Sequence, residues 1–303
     1  MKAFVTGGNG FLGQHLVQTL RATGYEVIAP SSKECDLRQL SNLNRFDESF
    51  DLIYHLAAYT QAGDWCLKHP GEQWVVNQQI NTNVLAWWFN HHQGTKLIAM
   101  GTSCSYAPGS NLVETAYMDG EPIESLYTYA MTKRMLLQGL RALNKQYGME
   151  YLYVVPSTLY GAGYHTDGRQ MHFIFDLIRK ILRGRDLGET VTLWGTGYQS
   201  REIVHVDDFI TNMQSLLTLK KHDIYNLGAG QEFTIREFAA MICELTHYDA
   251  NLIQYDESKY VGAKNKMLNV DKAKSELFNF ANRELQSGLQ DVIHWFEDTK
   301  SYL

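Results

Sequence analysis

Short apolar runs alternate with helically spaced ones through the first half of the chain. Lys2–Thr6 reads as a buried strand, and Phe11, Leu12, His15, Leu16 and Leu20 then recur with the period of a helix. Further strands are expected at 24–30, 51–58, 96–100 and 151–156. Two long helices fall between them. One covers 70–93, with Trp74, Asn77, Leu85, Trp87 and Trp88 as core or interface aromatics and neighbours. The other covers 126–147, with Met131, Met135, Leu136, Leu140 and Leu143 towards the core. Alternation of this kind predicts an α/β protein with a parallel, doubly wound sheet. After Tyr160 the pattern breaks up. A helix around 172–182, short strands at 191–194 and 201–204, a helix starting near 205–208 and a strand at 224–228 are expected. Thr234 with Glu237 three residues on forms a capping box for a helix over 234–247. Short helices near 271–278 and 284–300 finish the chain. The second half therefore reads as a smaller α/β lobe interleaved with the last elements of the first. The expected division is 1–160 plus about 204–229 against 161–203 plus 230–303.

Composition narrows the class. Of 303 residues 45% are hydrophobic and 20% charged, enough for one large core with a lobe. The net charge of -6, without a long basic stretch, argues against nucleic acid or a membrane surface as partner. No apolar run reaches the roughly 18 residues a membrane span needs. The first strand begins at Lys2, which leaves no room for a signal peptide. Cys35, Cys66, Cys104 and Cys243 are scattered, without metal spacing. Free thiols in a reducing cytoplasm are expected, and no metal.

The candidate chemistry starts at Gly7, Gly10 and Gly13, a G-x-x-G-x-x-G turn between a strand and a helix. Such a turn lets a pyrophosphate approach the backbone at a helix N-terminus, as in the Rossmann fold, with Phe11 and Leu12 alongside. An NAD-selective fold usually has a carboxylate about 20 residues later. Here the sequence reads Ser31-Ser32-Lys33, so NADP(H) is expected, with NAD(H) as the alternative. Asp36 and Leu37 are candidate adenine contacts, and Leu56-Ala57-Ala58 a small-residue turn beside the cofactor. A polar loop, 59–64, follows. Thr102, Ser103 and Cys104 end the fourth strand, where ligands bind in open α/β sheets. The loop 107–126 is long enough to be functional. Tyr129 and Lys133 share one helical face, and a lysine beside a phenol would lower its pKa from about 10. Tyr129 is thus a candidate acid or base, with Thr102 or Ser103 holding a substrate oxygen. His55, His91, His92 and His205 read as structural, and the pair Asp207-Asp208 as a helix cap.

Together with Leu159-Tyr160-Gly161, Trp194-Gly-Thr-Gly197, Arg201-Glu202 and His205-Val-Asp-Asp208, these motifs resemble the extended short-chain dehydrogenase/reductases acting on nucleotide sugars. Within them the chain is most similar to the GDP-L-fucose synthases, which are GDP-4-keto-6-deoxymannose 3,5-epimerase/4-reductases. The segment Gly101–Tyr106 and His172, eleven residues past Gly161, carry that likeness. The GDP-mannose 3,5-epimerases share the cysteine but have lysine at the His172 position. The resemblance implies that Tyr129 protonates the C4 oxygen and Lys133 holds the nicotinamide ribose. It implies Cys104 and His172 as base and acid on opposite faces of the sugar, Arg201 on the diphosphate, and Lys180 and Trp194 as further substrate contacts. It also implies a homodimer through the two long helices. Departures are Thr158 for the usual Asn, Lys180 for Arg, Ala107 before Pro108, and the loop 59–64, so the sugar itself is open to a heptose or another deoxyhexose. A pure C4-reductase, an NAD-recycling 4-epimerase and a non-catalytic dinucleotide sensor are the alternatives.

Overall fold

The computed structural model describes residues 1–61, 65–219, 222–259 and 265–303; the end of the polar loop, 62–64, lies outside them. The strands are β1 (Lys2–Thr6), β2 (Glu26–Ile28), β3 (Leu52–His55), β4 (Lys96–Met100), β5 (Tyr151–Pro156), β6 (Thr158–Tyr160), β7 (Thr192–Trp194), β8 (Ser200–Arg201), β9 (Ile203–His205), β10 (Asp223–Leu227), β11 (Phe233–Thr234) and β12 (Gln254–Asp256). Six of them form one parallel sheet in the order β10-β5-β4-β3-β1-β2. The order reverses between β1 and its two neighbours, β2 and β3, which makes the crevice above β1 and β3 the expected ligand position.

These strands are apolar on both faces because helices cover both. Phe4, Leu97, Ala99, Tyr153 and Val155 pack with Trp87, Trp88, Leu136 and Leu140 from the helices Pro70–His91 and Tyr127–Tyr147. Ala3, Val5, Ile98, Met100, Leu152 and Val154 face the other way, onto Leu16, Leu20, Phe209 and Met213. That alternation is the two-residue period of a strand sandwiched between helical layers. A second core, with Ile178, Leu193, Phe238, Ile242, Leu289 and Phe296, joins β7 to the helices Phe173–Leu187, Ile235–Thr246 and Leu285–Thr299. β6 and β9 pair in parallel between the two cores.

Some elements differ from expectation in ways that matter. The capping box of Thr234 and Glu237 is present. Asp207, by contrast, does not cap its helix, Val206–Leu217. His205 does, its Nδ1 accepting the Asp207 N–H at 3.2 Å. The Asp207 carboxylate instead meets His15 Nδ1 at 3.0 Å, and Asp208 takes the Arg283 backbone N–H at 2.8 Å and its guanidinium. The loop 107–126 contains two single turns, Glu114–Ala116 and Glu124–Leu126. Buried Glu114 fastens it to β10 by accepting the Asn226 N–H at 2.9 Å. Among the described residues no helix is long and apolar enough to cross a membrane, and no cluster of metal-ligating side chains occurs. The four cysteines are free thiols.

Candidate active site

The glycine turn is held by its own packing. Gly7 has φ +71°, and a Cβ there would sit 2.8 Å from the Ala57 nitrogen. A Cβ on Gly13 would fall 2.1 Å from the Gly7 oxygen. At Gly10 a Cβ would meet only the Gly7 oxygen, in a tight contact at 3.3 Å. The helix Phe11–Ala22 starts there with no side-chain cap and no acid in its first turn. Its free N–H groups fit a pyrophosphate. Behind the turn, Thr6 Oγ1 lies 2.9 Å from His55 Nδ1 and accepts the Leu56 and Ala57 N–H groups at 3.2 Å each. His55 Nε2 meets Asn81 Oδ1 at 3.0 Å, and Asn81 donates to the Thr132 carbonyl at 3.3 Å. Burial, with Lys133 nearby, lowers the His55 pKa to about 4. The ring is therefore neutral and structural. It ties the Leu56–Ala58 turn to the helix bearing Lys133.

The turn after β2 corrects one expectation. Ser31 donates from both its N–H and its hydroxyl to the Glu34 carboxylate, at 2.8 and 2.7 Å. A carboxylate therefore does stand at this turn, directly after the Ser31-Ser32-Lys33 segment. Ser32, Lys33 and Arg38 are exposed. Arg38 pairs with Asp36 at 2.7 Å, so Asp36 is committed to that partner. Leu37 is partly buried and packs against the core.

Beyond β4, Gly101 packs under Tyr153 and Tyr117, and the chain turns through Ser103–Ser105. Thr102 Oγ1 accepts the Cys104 N–H at 3.2 Å, which fixes the cysteine's direction. Arg134, buried, braces the same turn. It donates to the Ser105 carbonyl at 3.1 and 2.5 Å and to the carbonyls of Asp119 and Gly120 at 2.8 and 2.7 Å. Lys133 Nζ lies 5.8 Å from the centroid of the Tyr129 ring. Burial holds the Lys133 ammonium down to about 8. The Tyr129 phenol moves opposite to expectation. Burial raises its pKa, and Cys104, Tyr117 and Cys66 add to the effect. Adjacency on a helix face gives Lys133 no purchase on the phenol here, so Tyr129 is a held proton rather than a phenolate.

Cys104 is half-buried, and its sulfur accepts from Lys266 Nζ at 3.0 Å. Burial would raise the thiol, but the Lys266 ammonium and the Thr102 side chain outweigh it and the pKa falls. His172 precedes the helix Phe173–Leu187. Its ring is open to solvent yet crowded by protein, and that crowding with the charges of His165 and Lys266 lowers its pKa to about 4. A small cleft is lined by Ser103, Ser157, Thr158, Arg201, Glu202, Lys266 and Leu268. Ser157 Oγ, buried in its wall, has no hydrogen-bond partner among the described residues. Arg201 Nη1 donates to the Ser200 carbonyl at 2.7 Å. Lys180 is bound to Asp176 at 3.0 Å and to the Thr192 carbonyl at 3.2 Å, while Trp194 is exposed. Glu202 accepts the N–H groups of Gly230 and Leu268 at 2.7 and 2.8 Å, and burial raises its pKa to about 7. Thus Ser103, Arg201 and Thr158 share one cleft. Glu202, read in the sequence as part of Arg201-Glu202, and Lys266, which has no local sequence signal, join them.

The sequence pattern of the NAD dependent epimerase/dehydratase family matches residues 3–228. The GDP-L-colitose synthase of Yersinia pseudotuberculosis is 28% identical over 311 residues, covering 99% of this chain and 99% of its own. GDP-L-fucose synthase 1 of Arabidopsis thaliana is 28% identical over 303 residues, covering 97% of this chain and 93% of its own. A crystal structure of a GDP-L-fucose synthetase from Naegleria fowleri bound to NADP superposes with a TM-score of 0.87 at 21% identity, covering 99% and 93%. At that identity the likeness is one of fold.

Proposed function

Since the chain belongs to the NAD dependent epimerase/dehydratase family, whose members are enzymes, we propose that it is an NADPH-dependent epimerase/reductase of a GDP-linked 4-keto-6-deoxy sugar. The observation that carries this reading is Cys104 with its sulfur on an ammonium, on the turn that also bears Ser103. A simple reductase has no use for an activated thiol. Full-length relatives named for GDP-L-colitose and GDP-L-fucose support the guanosine nucleotide.

NADP(H), when bound, supplies a hydride to C4 of the sugar. The Gly7–Gly13 turn, Leu56–Ala58 and Lys133 would hold it, with the exposed Lys33 as a cation for a 2′-phosphate beside Glu34. Thiolate at Cys104 removes the proton next to the ketone, at C3 and at C5, and His172 returns one from the opposite face. To return a proton the imidazole must first carry one on both nitrogens, against the surroundings that hold its pKa low. The diphosphate arriving on Arg201 favours its protonated form. Ser103 or Thr102 holds the C4 oxygen, and Tyr129 gives that oxygen its proton. A phenol whose pKa is raised suits a donor that must keep its proton until charge develops. Lys180 and Trp194 complete the substrate side.

We place the cofactor on 1–160 plus about 204–229 and the nucleotide sugar on 161–203 plus 230–303. The protein is taken to be a homodimer through the helices Pro70–His91 and Tyr127–Tyr147. The test is product analysis with GDP-4-keto-6-deoxymannose and NADPH. Cys104→Ser should lower formation of the inverted, reduced sugar by about 10²–10⁴-fold. Equal rates and identical product from Cys104→Ser would refute the epimerase half.

A further inference from the structure

Lys266 stands 162 residues beyond Cys104 in sequence, yet its Nζ donates to Sγ at 3.0 Å. The backbone around it is fixed. Its own N–H donates to the Glu232 carboxylate at 3.2 Å. Two residues on, the Leu268 N–H is held by the buried Glu202 carboxylate at 2.8 Å, which also takes Gly230 at 2.7 Å. The ammonium is thus delivered by a backbone held at Lys266 itself and two residues beyond it. It forms part of the cleft wall with Ser103 and Arg201. It also acts through space on His172, so one cation addresses both proposed proton-transfer groups.

We propose that Lys266 is the positioning residue of this centre: its ammonium orients the Cys104 sulfur and holds it as the thiolate. What the thiolate is used for rests on the epimerase reading; the ion pair itself does not. Around the sulfur the titratable groups are Lys266 from the segment 265–270, Tyr129 from its helix and Tyr117 from the loop. Both phenols are neutral, so Lys266 supplies the charge. Around the ammonium stand Cys104, His172 and, in the cleft wall, Arg201 and Glu202, while Glu232 holds the Lys266 backbone N–H. An adjacent cation lowers a thiol from its ordinary value of about 8.5.

The experiment follows Cys104 directly, by the rate of iodoacetamide alkylation against pH, with Cys104→Ser subtracted. Wild type, Lys266→Met and Lys266→Arg are compared, with KM and kcat for solvent deuterium uptake into the sugar measured alongside. In wild type the midpoint should lie below that of an ordinary thiol. Lys266→Met should raise it by about one unit or more and slow alkylation at neutral pH about tenfold. Deuterium uptake should fall in kcat rather than rise in KM, and Lys266→Arg should recover part of both. Should Lys266→Met not fold, the wild-type difference titration of thiolate absorbance stands alone; a midpoint at or above about 8.5 overturns the proposal. So does an alkylation profile that ignores Lys266→Met while KM alone rises, which would make the lysine a phosphate contact. A low, Lys266-dependent midpoint without deuterium uptake from any GDP-keto-sugar would keep the ion pair and remove the epimerase reading. Deuterium uptake with an ordinary midpoint would do the reverse.

Discussion

Tyr129 and Cys104 lie close enough to influence one another yet have opposite protonation tendencies, the phenol raised and the thiol lowered. Groups pushed apart in this way divide into donor and base. Two separable losses follow. Tyr129→Phe should reduce NADPH oxidation by about 10²–10⁴-fold while deuterium uptake at the carbons beside the ketone continues. Cys104→Ser should do the opposite. Loss of both activities in Tyr129→Phe would mean that the phenol also serves the epimerase half. At this scale Tyr129, Lys133 and the turn of Thr102, Ser103 and Cys104 were legible because each signal is local. The pKa of Tyr129 was not. Helical spacing gives adjacency, but 5.8 Å from Lys133 Nζ to the ring centroid and a buried site reverse the expected sign. Lys266 left no trace in the sequence, since a single lysine 162 residues from its partner has no pattern to recognise.

At the scale of elements, the turn above β1 and the helix Phe11–Ala22 depend on absent side chains. Gly13→Ala would drive a carbon to 2.1 Å from the Gly7 oxygen. It should weaken NADPH binding at least tenfold, read by fluorescence titration; wild-type affinity would show that the turn yields easily. The same helix is tied across the molecule by His15. Its Nδ1 meets Asp207 and its Nε2 meets the Ala162 carbonyl, at 3.0 and 2.9 Å. Two acceptors need two N–H groups, so the ring is cationic. Burial lowers its pKa, but the bonds to Asp207 and Ala162 prevail and the net shift is upward. A folded pKa raised above the unfolded value stabilises below the unfolded pKa, about 6.5, and that stability is lost as pH rises through the raised value. His15→Gln should therefore cost about 1 kcal/mol in urea unfolding near pH 5.5 and much less near pH 9. An equal cost at both pH values would contradict the charged ring. Strands buried on both faces were readable from apolar runs, as were the capping box and the glycine turn. The role of Asp207 was not, because its partner, His15, is 192 residues away and a histidine took the cap.

For the whole molecule, the alternation of elements gave a doubly wound sheet, and the structure has it, with β10 closing the sheet from the second half. The helices Pro70–His91 and Tyr127–Tyr147 run side by side, so close at Gly139 that a Cβ there would lie 2.5 Å from Leu85. Trp74 and Val75 on the first are exposed at 40% and 53%, and Met135 on the second, expected towards the core, is only half-buried. Sedimentation should find a dimer, and Val75→Glu with Met135→Glu should shift it towards monomer; an unchanged dimer would place the interface elsewhere. The central proposal, that one site first inverts and then reduces, is tested most directly by incubating the protein with GDP-4-keto-6-deoxymannose in D2O before any NADPH is added. Deuterium should enter C3 and C5 in wild type and not in Cys104→Ser. NADPH consumption on later addition, with no deuterium in the sugar at any stage, would contradict it and leave a C4-reductase.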